Sequence, residues 1–97
     1  HELPYIRKSD FIGVVTAASE DGAVIRTYNP IRPGDELEAI FPIQDGKIID
    51  GYRTVRAILD VESPELQYEL ARPNSVYRLL LNEPVASGAL FRKRLKE

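Results

Sequence analysis

Turn-forming residues interrupt this chain at intervals of about ten residues, and this spacing limits the possible folds more than any other feature. Between the turns lie short runs that are rich in β-branched and aromatic residues, the composition that favours strands. No stretch combines helical periodicity with capping residues, and no repeat at a fixed period is evident. The pattern predicts an all-β fold, an antiparallel barrel or a sandwich, and we expect a small closed or nearly closed antiparallel β-barrel.

The first predicted strand contains Gly13, which indicates a β-bulge or a close approach of two backbones. Asp21-Gly22 predicts a tight hairpin turn after this strand, and Asp45-Gly46 marks a later turn. Residues 52–58 are predicted as a strand, although residues 55–59 could form a helical turn instead. The predicted strands are 11–17, 23–28, 37–41, 52–58, 67–70, 76–81 and 89–92, with a short extended piece over 47–49.

The turn at Pro33, Gly34 and Asp35 is predicted to organise the middle of the chain. Pro33 fixes φ near −65° and Gly34 can adopt a positive φ, so the pair predicts a type II turn. Asp35 is expected to accept hydrogen bonds from turn amides. The strand that follows alternates apolar and polar residues. The expected core is Ile12, Val14, Ile25, Leu37, Ala39, Phe41, Val55, Leu79, Leu81 and Leu90.

The length of 97 residues predicts a single domain. Residues 1–10 are expected to form a lead-in or linker, residues 11–94 the barrel, and residues 95–97 a tail. The chain begins with histidine and has no methionine, which suggests a fragment of a longer protein. The absence of cysteine excludes disulfides and cysteine-ligated cofactors and agrees with a cytoplasmic location, which we expect. No apolar run approaches the roughly 18 residues of a spanning helix, so no membrane partner is expected.

The residues that catalysis would require are missing from the sequence. The one histidine is residue 1, and there is no Gly-x-Ser-x-Gly motif that would position a nucleophilic serine. The glycines do not form a phosphate-binding loop, and the carboxylates do not have the spacing of a calcium loop. The sequence therefore predicts no catalytic residue, no metal site and no cofactor in this chain.

Two groups of residues are candidates for binding a macromolecule. The net charge of −2 gives no global attraction to nucleic acid. The basic run of Arg92, Lys93, Arg94 and Lys96 could nevertheless bind phosphates, or could equally be a solvated tail. Separately, Arg53, Arg56, Arg72 and Arg78 could gather on one barrel face near tyrosines 52, 68 and 77 and stack on bases, or could equally form ordinary cross-strand pairs. The nucleic-acid candidates are Arg92, Lys93, Arg94, Lys96, Arg53, Arg56 and Arg78. An apolar hairpin could instead form a protein interface or simply fill the core, and its candidates are Ile43, Ile48, Ile49 and Tyr52, next to Ile40.

Five segments, in their order and spacing, resemble the C-terminal domain of the collagenase-like peptidase family U-32. They are Phe11-Ile12-Gly13-Val14-Val15, the stretch from Tyr28 to Glu38 around Pro33-Gly34-Asp35-Glu36-Leu37, Ile58-Leu59-Asp60, Val76 to Val85, and Gly88-Ala89-Leu90-Phe91-Arg92. A related pattern marks the second domain of translation factors, whose barrel the fold is expected to resemble.

The resemblance implies a compact β-barrel appended to a larger catalytic body. In the family that body is similar to a TIM barrel and often carries cysteine ligands for an iron–sulfur cluster, none of which exists in this chain. Relatives include RNA-hydroxylating enzymes, while the family name refers to peptidase activity. We therefore expect a non-catalytic accessory domain that binds or positions a macromolecular substrate, with RNA as a candidate and the catalytic domain of its own parent chain as a partner. The alternative is a protein-interaction module for docking or oligomerisation.

Overall fold

The computed structural model describes residues 11–43 and 46–93, with the backbone alone for residues 42, 43 and 46–50. The described chain forms strands and turns, which confirms the all-β prediction. No helix in these ranges is long and apolar enough to cross a bilayer. The strands are β1 (Phe11–Ala18), β2 (Gly22–Thr27), β3 (Glu36–Ile43), β4 (Gly46–Leu59), β5 (Gln67–Tyr68), β6 (Val76–Leu81) and β7 (Leu90–Lys93).

The strands close into a six-stranded antiparallel barrel, as predicted. The sheet runs in the order β3-β7-β1-β2-β6-β4-β5, and a further pairing between β3 and β4 closes the ring. The two residues of β5 extend the sheet beyond β4, outside the closed ring. Closure gives every ring strand a neighbour on both sides over at least part of its length, which removes the free sheet edge that an open sheet would expose.

The interior of the barrel contains most of the expected core residues. Seven of them, Ile12, Ile25, Leu37, Ala39, Val55, Leu79 and Leu81, belong to one buried cluster, and partly buried Phe41 packs against that cluster. Leu90 is buried, as predicted, but in a second cluster with Ile40. The prediction is wrong for Val14, which is only partly buried and packs with Phe11 against that second cluster. Leu90 lies between the inward-facing Ala89 and Phe91, so strand alternation turns its side chain outward.

Val14 faces outward because strand β1 is irregular near its start. Ile12 and Val15 both point into the core, and the pairing of β1 with β7 shifts register between Phe11 and Gly13. A Cβ atom at Gly13 would lie 2.4 Å from the Arg26 carbonyl oxygen on β2. The close backbone approach predicted at this glycine is thus confirmed. The prediction for Val14 assumed strict alternation of inward and outward side chains along β1, which the register shift next to Gly13 interrupts.

The later strands differ from the prediction mainly in length. Strand β4 is continuous from Gly46 to Leu59, so the prediction of a strand over residues 52–58 is confirmed and a helical turn at 55–59 is wrong. The strand predicted for residues 67–70 is limited to Gln67–Tyr68. The turn predicted at Asp45-Gly46 lies partly outside the described residues.

The predicted turn at Pro33-Gly34 is confirmed. Gly34 has a φ of 94°, and the Asp35 amide donates to the Arg32 carbonyl oxygen at 3.1 Å, as in a type II turn. The Asp35 carboxylate accepts the Arg32 amide at 2.8 Å, which is the expected capping bond. Hydrogen bonds from Gly34 N to Val55 O and from Val55 N to Asp35 O attach the turn to β4.

A similar turn precedes β6, although the sequence shows no repeat at a fixed period. In Arg72-Pro73-Asn74-Ser75 the residue after proline again has a positive φ, here 60° at Asn74. The Asn74 amide donates to Thr27 O and the Thr27 amide to Ser75 O, so this turn is attached to β2 as the first is attached to β4. An antiparallel bridge between Ile31 and Ala71 joins the two turn segments.

Candidate functional site

Two of the predicted nucleic-acid contacts are engaged within the domain. Arg53 is only 7% exposed, and its Nε donates to the Pro84 carbonyl oxygen at 2.8 Å. Arg92 forms an ion pair with Glu38, the residue directly opposite on β3. Arg53 therefore supports the loop that precedes β7, and Arg92 joins β3 to β7.

The other predicted cations do not form one continuous basic surface in the described chain. Arg56 and Lys93 are exposed on β4 and β7, two strands that are not neighbours, and Arg78 is half-buried on β6. Arg94 and Lys96 lie outside the described residues. Two of the three tyrosines are also engaged within the domain, because Tyr68 and Tyr77 pack edge-to-face against each other, with ring centroids 5.5 Å apart, and against the core. The structure thus does not assemble the expected arginine–tyrosine stacking surface from these residues.

The predicted apolar hairpin is described only in part. Tyr52 is 43% exposed on β4, and Ile40 is buried in the second cluster with Leu90. The side chains of Ile43, Ile48 and Ile49 lie outside the described part of the structure. This interface therefore stays a prediction.

The outer face of β1, β2 and β6 has charges of one sign only. These three strands are neighbours in the sheet and contain no aspartate or glutamate, and their charged residues are Arg26 and Arg78. Arg26 pairs with Val76 and Arg78 with Val24, so the two arginines are diagonal neighbours, with Cα atoms about 7–8 Å apart. The face therefore places two cations beside apolar side chains.

Next to this face, the loop between β4 and β5 is folded around Asp60. Its Oδ2 accepts the amides of Glu62 at 3.0 Å and Ser63 at 2.9 Å, and its Oδ1 accepts the Tyr68 hydroxyl at 3.0 Å. The bond from Ser63, followed by the bond from Tyr68, holds the pKa of Asp60 below its ordinary value, while the same carboxylate raises the pKa of Tyr68. The loop is therefore held in one conformation by its own hydrogen bonds.

Three exposed apolar side chains lie in the segment that runs from the end of β4 to the first residue of β6. Val61 (37% exposed), Leu66 (51%) and Val76 (45%) are three of the five exposed large hydrophobic residues in the described chain. Leu59 pairs with Arg78, so Val61, two residues after Leu59, and Val76, two residues before Arg78, lie at the same end of the β4–β6 pair. We call these three residues the β6 patch, together with their neighbours in the strand register, Arg26 and Arg78, and their neighbours along the chain, Glu62 and Glu65.

The sequence did not predict the β6 patch: Val61 and Leu66 lie outside the predicted strands, and Val76 lies in one. The alternation of Val76 and Arg78 with inward-facing residues indicates that both side chains point outward. The position of the β4–β5 loop at the same end of the sheet depends on the pairing of β4 with β6, which the sequence pattern does not show. Elsewhere in the described ranges, no group of three histidine, cysteine, aspartate or glutamate residues could hold a metal ion.

Comparison with solved structures identifies the same barrel in another protein. The C-terminal domain of a protein from Geobacillus thermoleovorans assigned to the U32 peptidases superposes with a TM-score of 0.68 and 22% identity, covering 92% of this chain and 97% of that one. A selenomethionine variant of that domain superposes with a TM-score of 0.64 and 23% identity, covering 87% and 99%. No family model and no curated protein matches the chain. The chain therefore shares its fold with the C-terminal domain of a U32-type protein, as the resemblance of its motifs implied.

Proposed function

We propose that this chain is a non-catalytic accessory barrel that contacts another protein surface through the β6 patch. One observation carries the proposal: Val61, Leu66 and Val76 are large apolar side chains that are exposed between the end of β4 and the start of β6. Exposed apolar side chains with charged residues beside them are typical of protein interfaces. The likeness to the C-terminal domain of a larger protein supports an accessory role.

Contact with RNA is the second candidate. Arg56 and Lys93 are exposed and Arg78 is half-exposed, which leaves cations available to phosphates. Against this stand the engagement of Arg53 and Arg92 within the barrel and the mutual packing of the two tyrosines. A fluorescence anisotropy titration with bulk tRNA at two salt concentrations separates the candidates. Salt-sensitive micromolar binding that is lost in the variant Arg56→Glu/Lys93→Glu, which changes only exposed cations, would favour RNA.

Cysteine labelling tests the protein contact, because the chain has no cysteine of its own and any introduced thiol is unique. Leu66→Cys places the thiol in the β6 patch, and Ser87→Cys places a control thiol on an exposed turn before β7. The reaction rate with a maleimide is measured for the dilute 97-residue chain, for the same chain at high concentration, and for the natural protein with all the sequence that its gene encodes.

The proposal predicts that Leu66→Cys reacts at least about tenfold more slowly in the natural protein or in the concentrated chain than in the dilute chain, whereas Ser87→Cys reacts at one rate throughout. A tenfold difference in rate corresponds to burial of the thiol in about nine molecules of ten, which a specific contact achieves. Equal rates for Leu66→Cys under all three conditions would show that the patch is not an interface.

A further inference from the structure

We propose that the protein surface which contacts the β6 patch carries carboxylates, and that these pair with Arg26 and Arg78 on the outer face of β2 and β6. The inference rests on the proposed function, because it names the chemistry of the partner of the same surface. It uses only the part of the patch that the strand register fixes. In that register Arg26 lies directly opposite Val76, and Arg78 lies directly opposite Val24.

Apolar side chains flank both arginines on this outer face. Residues that lie directly opposite each other on neighbouring antiparallel strands share one face of the sheet. The residues opposite the two arginines are all apolar: Val14 and Val76 for Arg26, and Val24 and Leu59 for Arg78. Arg26 is exposed and Val76 is 45% exposed, so a partner can reach both of them at once.

The face supplies no negative charge of its own to these cations. Strands β1, β2 and β6 contain no aspartate or glutamate. Among the described residues, neither the Arg26 nor the Arg78 guanidinium group forms an ion pair or a hydrogen bond. Asp60, which follows Leu59, uses its carboxylate within its own loop. Both arginines can therefore pair with groups of a partner.

Contact with Val76 brings an arginine into the interface. The Cβ atoms of directly opposite residues are about 4.5–5.5 Å apart, so a surface that covers Val76 also covers the base of Arg26. Taking a guanidinium group out of water without giving it an acceptor is unfavourable. A partner that binds here must therefore supply acceptors to the arginines as well as apolar contacts to the valines.

Carboxylates on a protein surface meet both requirements. The two oxygens of an aspartate or glutamate accept the parallel N–H groups of a guanidinium group, and neighbouring side chains of the same partner can be apolar. A phosphate also accepts such bonds, but a phosphate backbone offers no apolar surface to Val76. The pairs with carboxylates would select the partner by its charge, because a basic surface is repelled by the same two arginines.

Carbodiimide cross-linking tests this inference, because the reagent condenses an amine with a carboxylate that it contacts. Arg26→Lys/Arg78→Lys places amines on the face and retains its charge. The variant is treated in the natural protein and as the concentrated 97-residue chain, with isotope labelling of half the copies. We expect an amide between position 26 or 78 and an aspartate or glutamate that belongs to sequence beyond the 97 residues or to a second copy, located by mass spectrometry. Arg56→Lys, at an exposed position of β4 outside the patch, is expected to give no such amide.

A thiol at position 76 measures the contact independently of the partner's charge. Val76→Cys is expected to react with a maleimide at least about tenfold more slowly in the natural protein or the concentrated chain than in the dilute chain. Adding Arg26→Glu/Arg78→Glu should remove this protection, because carboxylates of the partner then meet like charges. Adding Arg56→Glu/Lys93→Glu makes the same change of charge at exposed positions outside the patch and should leave the protection in place. Circular dichroism verifies that each variant is folded.

The outcomes separate this inference from the proposed function. Protection of Val76→Cys without a cross-link at position 26 or 78, or protection that the charge reversal leaves unchanged, overturns the acidic partner while the protein contact stands. Protection that ribonuclease removes would assign the face to RNA and overturns both. Equal rates for Val76→Cys in all samples, with no cross-link to a partner, also overturn both.

Discussion

A side chain at position 34 is predicted to destabilise the barrel through backbone strain alone. Gly34 has a φ of 94°, and a Cβ atom added there would have no atom within 4 Å, so no clash contributes. Placing an L-residue in a left-handed conformation costs about 1–2 kcal/mol, and a β-branched residue resists it most. Because about 1 kcal/mol shifts the Tm of a domain of this size by about 4–8 °C, Gly34→Ala should lower Tm by about 4–16 °C. Gly34→Val should lower it at least as much.

The turn before β6 provides the matched control for this strain. Asn74 has a φ of 60°, in the left-handed region that asparagine tolerates, and it occupies the same place after proline as Gly34. Asn74→Gly should therefore change stability by less than about 1 kcal/mol, and Gly34→Asn should be milder than Gly34→Val. Thermal and urea unfolding followed by circular dichroism measure all four variants. An unchanged Tm for Gly34→Val, or an equal loss in Asn74→Gly, would refute the assigned turn.

Three further predictions concern packing, a buried hydroxyl and pH. Gly13→Ala should destabilise the domain by about 1–3 kcal/mol or more in urea unfolding, because its Cβ would lie 2.4 Å from Arg26 O; a stability equal to that of the unchanged chain would contradict this close approach. Thr27→Val should cost about 1–3 kcal/mol, because the buried hydroxyl donates to Arg72 O and accepts the Ser75 amide, and Thr27→Ser should retain most of the stability. The pKa of Asp60 is lowered in the folded chain, so its contribution to the free energy of unfolding is fully present above about pH 4. This contribution is lost as the pH falls through the folded-state pKa of Asp60. Asp60→Asn should therefore flatten the acid side of the plot of Tm against pH.

The features that the sequence predicted correctly depend on local chemistry. The turn at Pro33-Gly34 follows from the fixed φ of proline and the freedom of glycine, and it forms as predicted. The strands were recognised from their composition and from the turns between them. Pro73-Asn74 lies between the predicted strands 67–70 and 76–81, and asparagine after proline could have indicated the positive φ of its turn.

The features that were missed depend on contacts between distant parts of the chain. The outward position of Val14 follows from the irregularity at Gly13, which a strict alternation does not include. Arg92 was assigned to a basic run, but its partner Glu38 is 54 residues away along the chain. The β6 patch exists because Leu59 pairs with Arg78, and this register brings a loop residue, Val61, to the side of a strand residue, Val76. No local pattern contains that information.

The most direct test of the β6 patch as an interface compares backbone amide NMR spectra of the 97-residue chain, dilute and concentrated, with those of the natural protein. We expect the amide resonances of Val61, Leu66, Val76 and Arg78 to shift together between the dilute chain and either the concentrated chain or the natural protein. The resonances of Thr16 and Ser87, which lie outside the patch, should stay in place. Resonances that are the same in all three samples, or shifts centred on Arg56 or Lys93, would contradict the assignment of this surface as a protein contact.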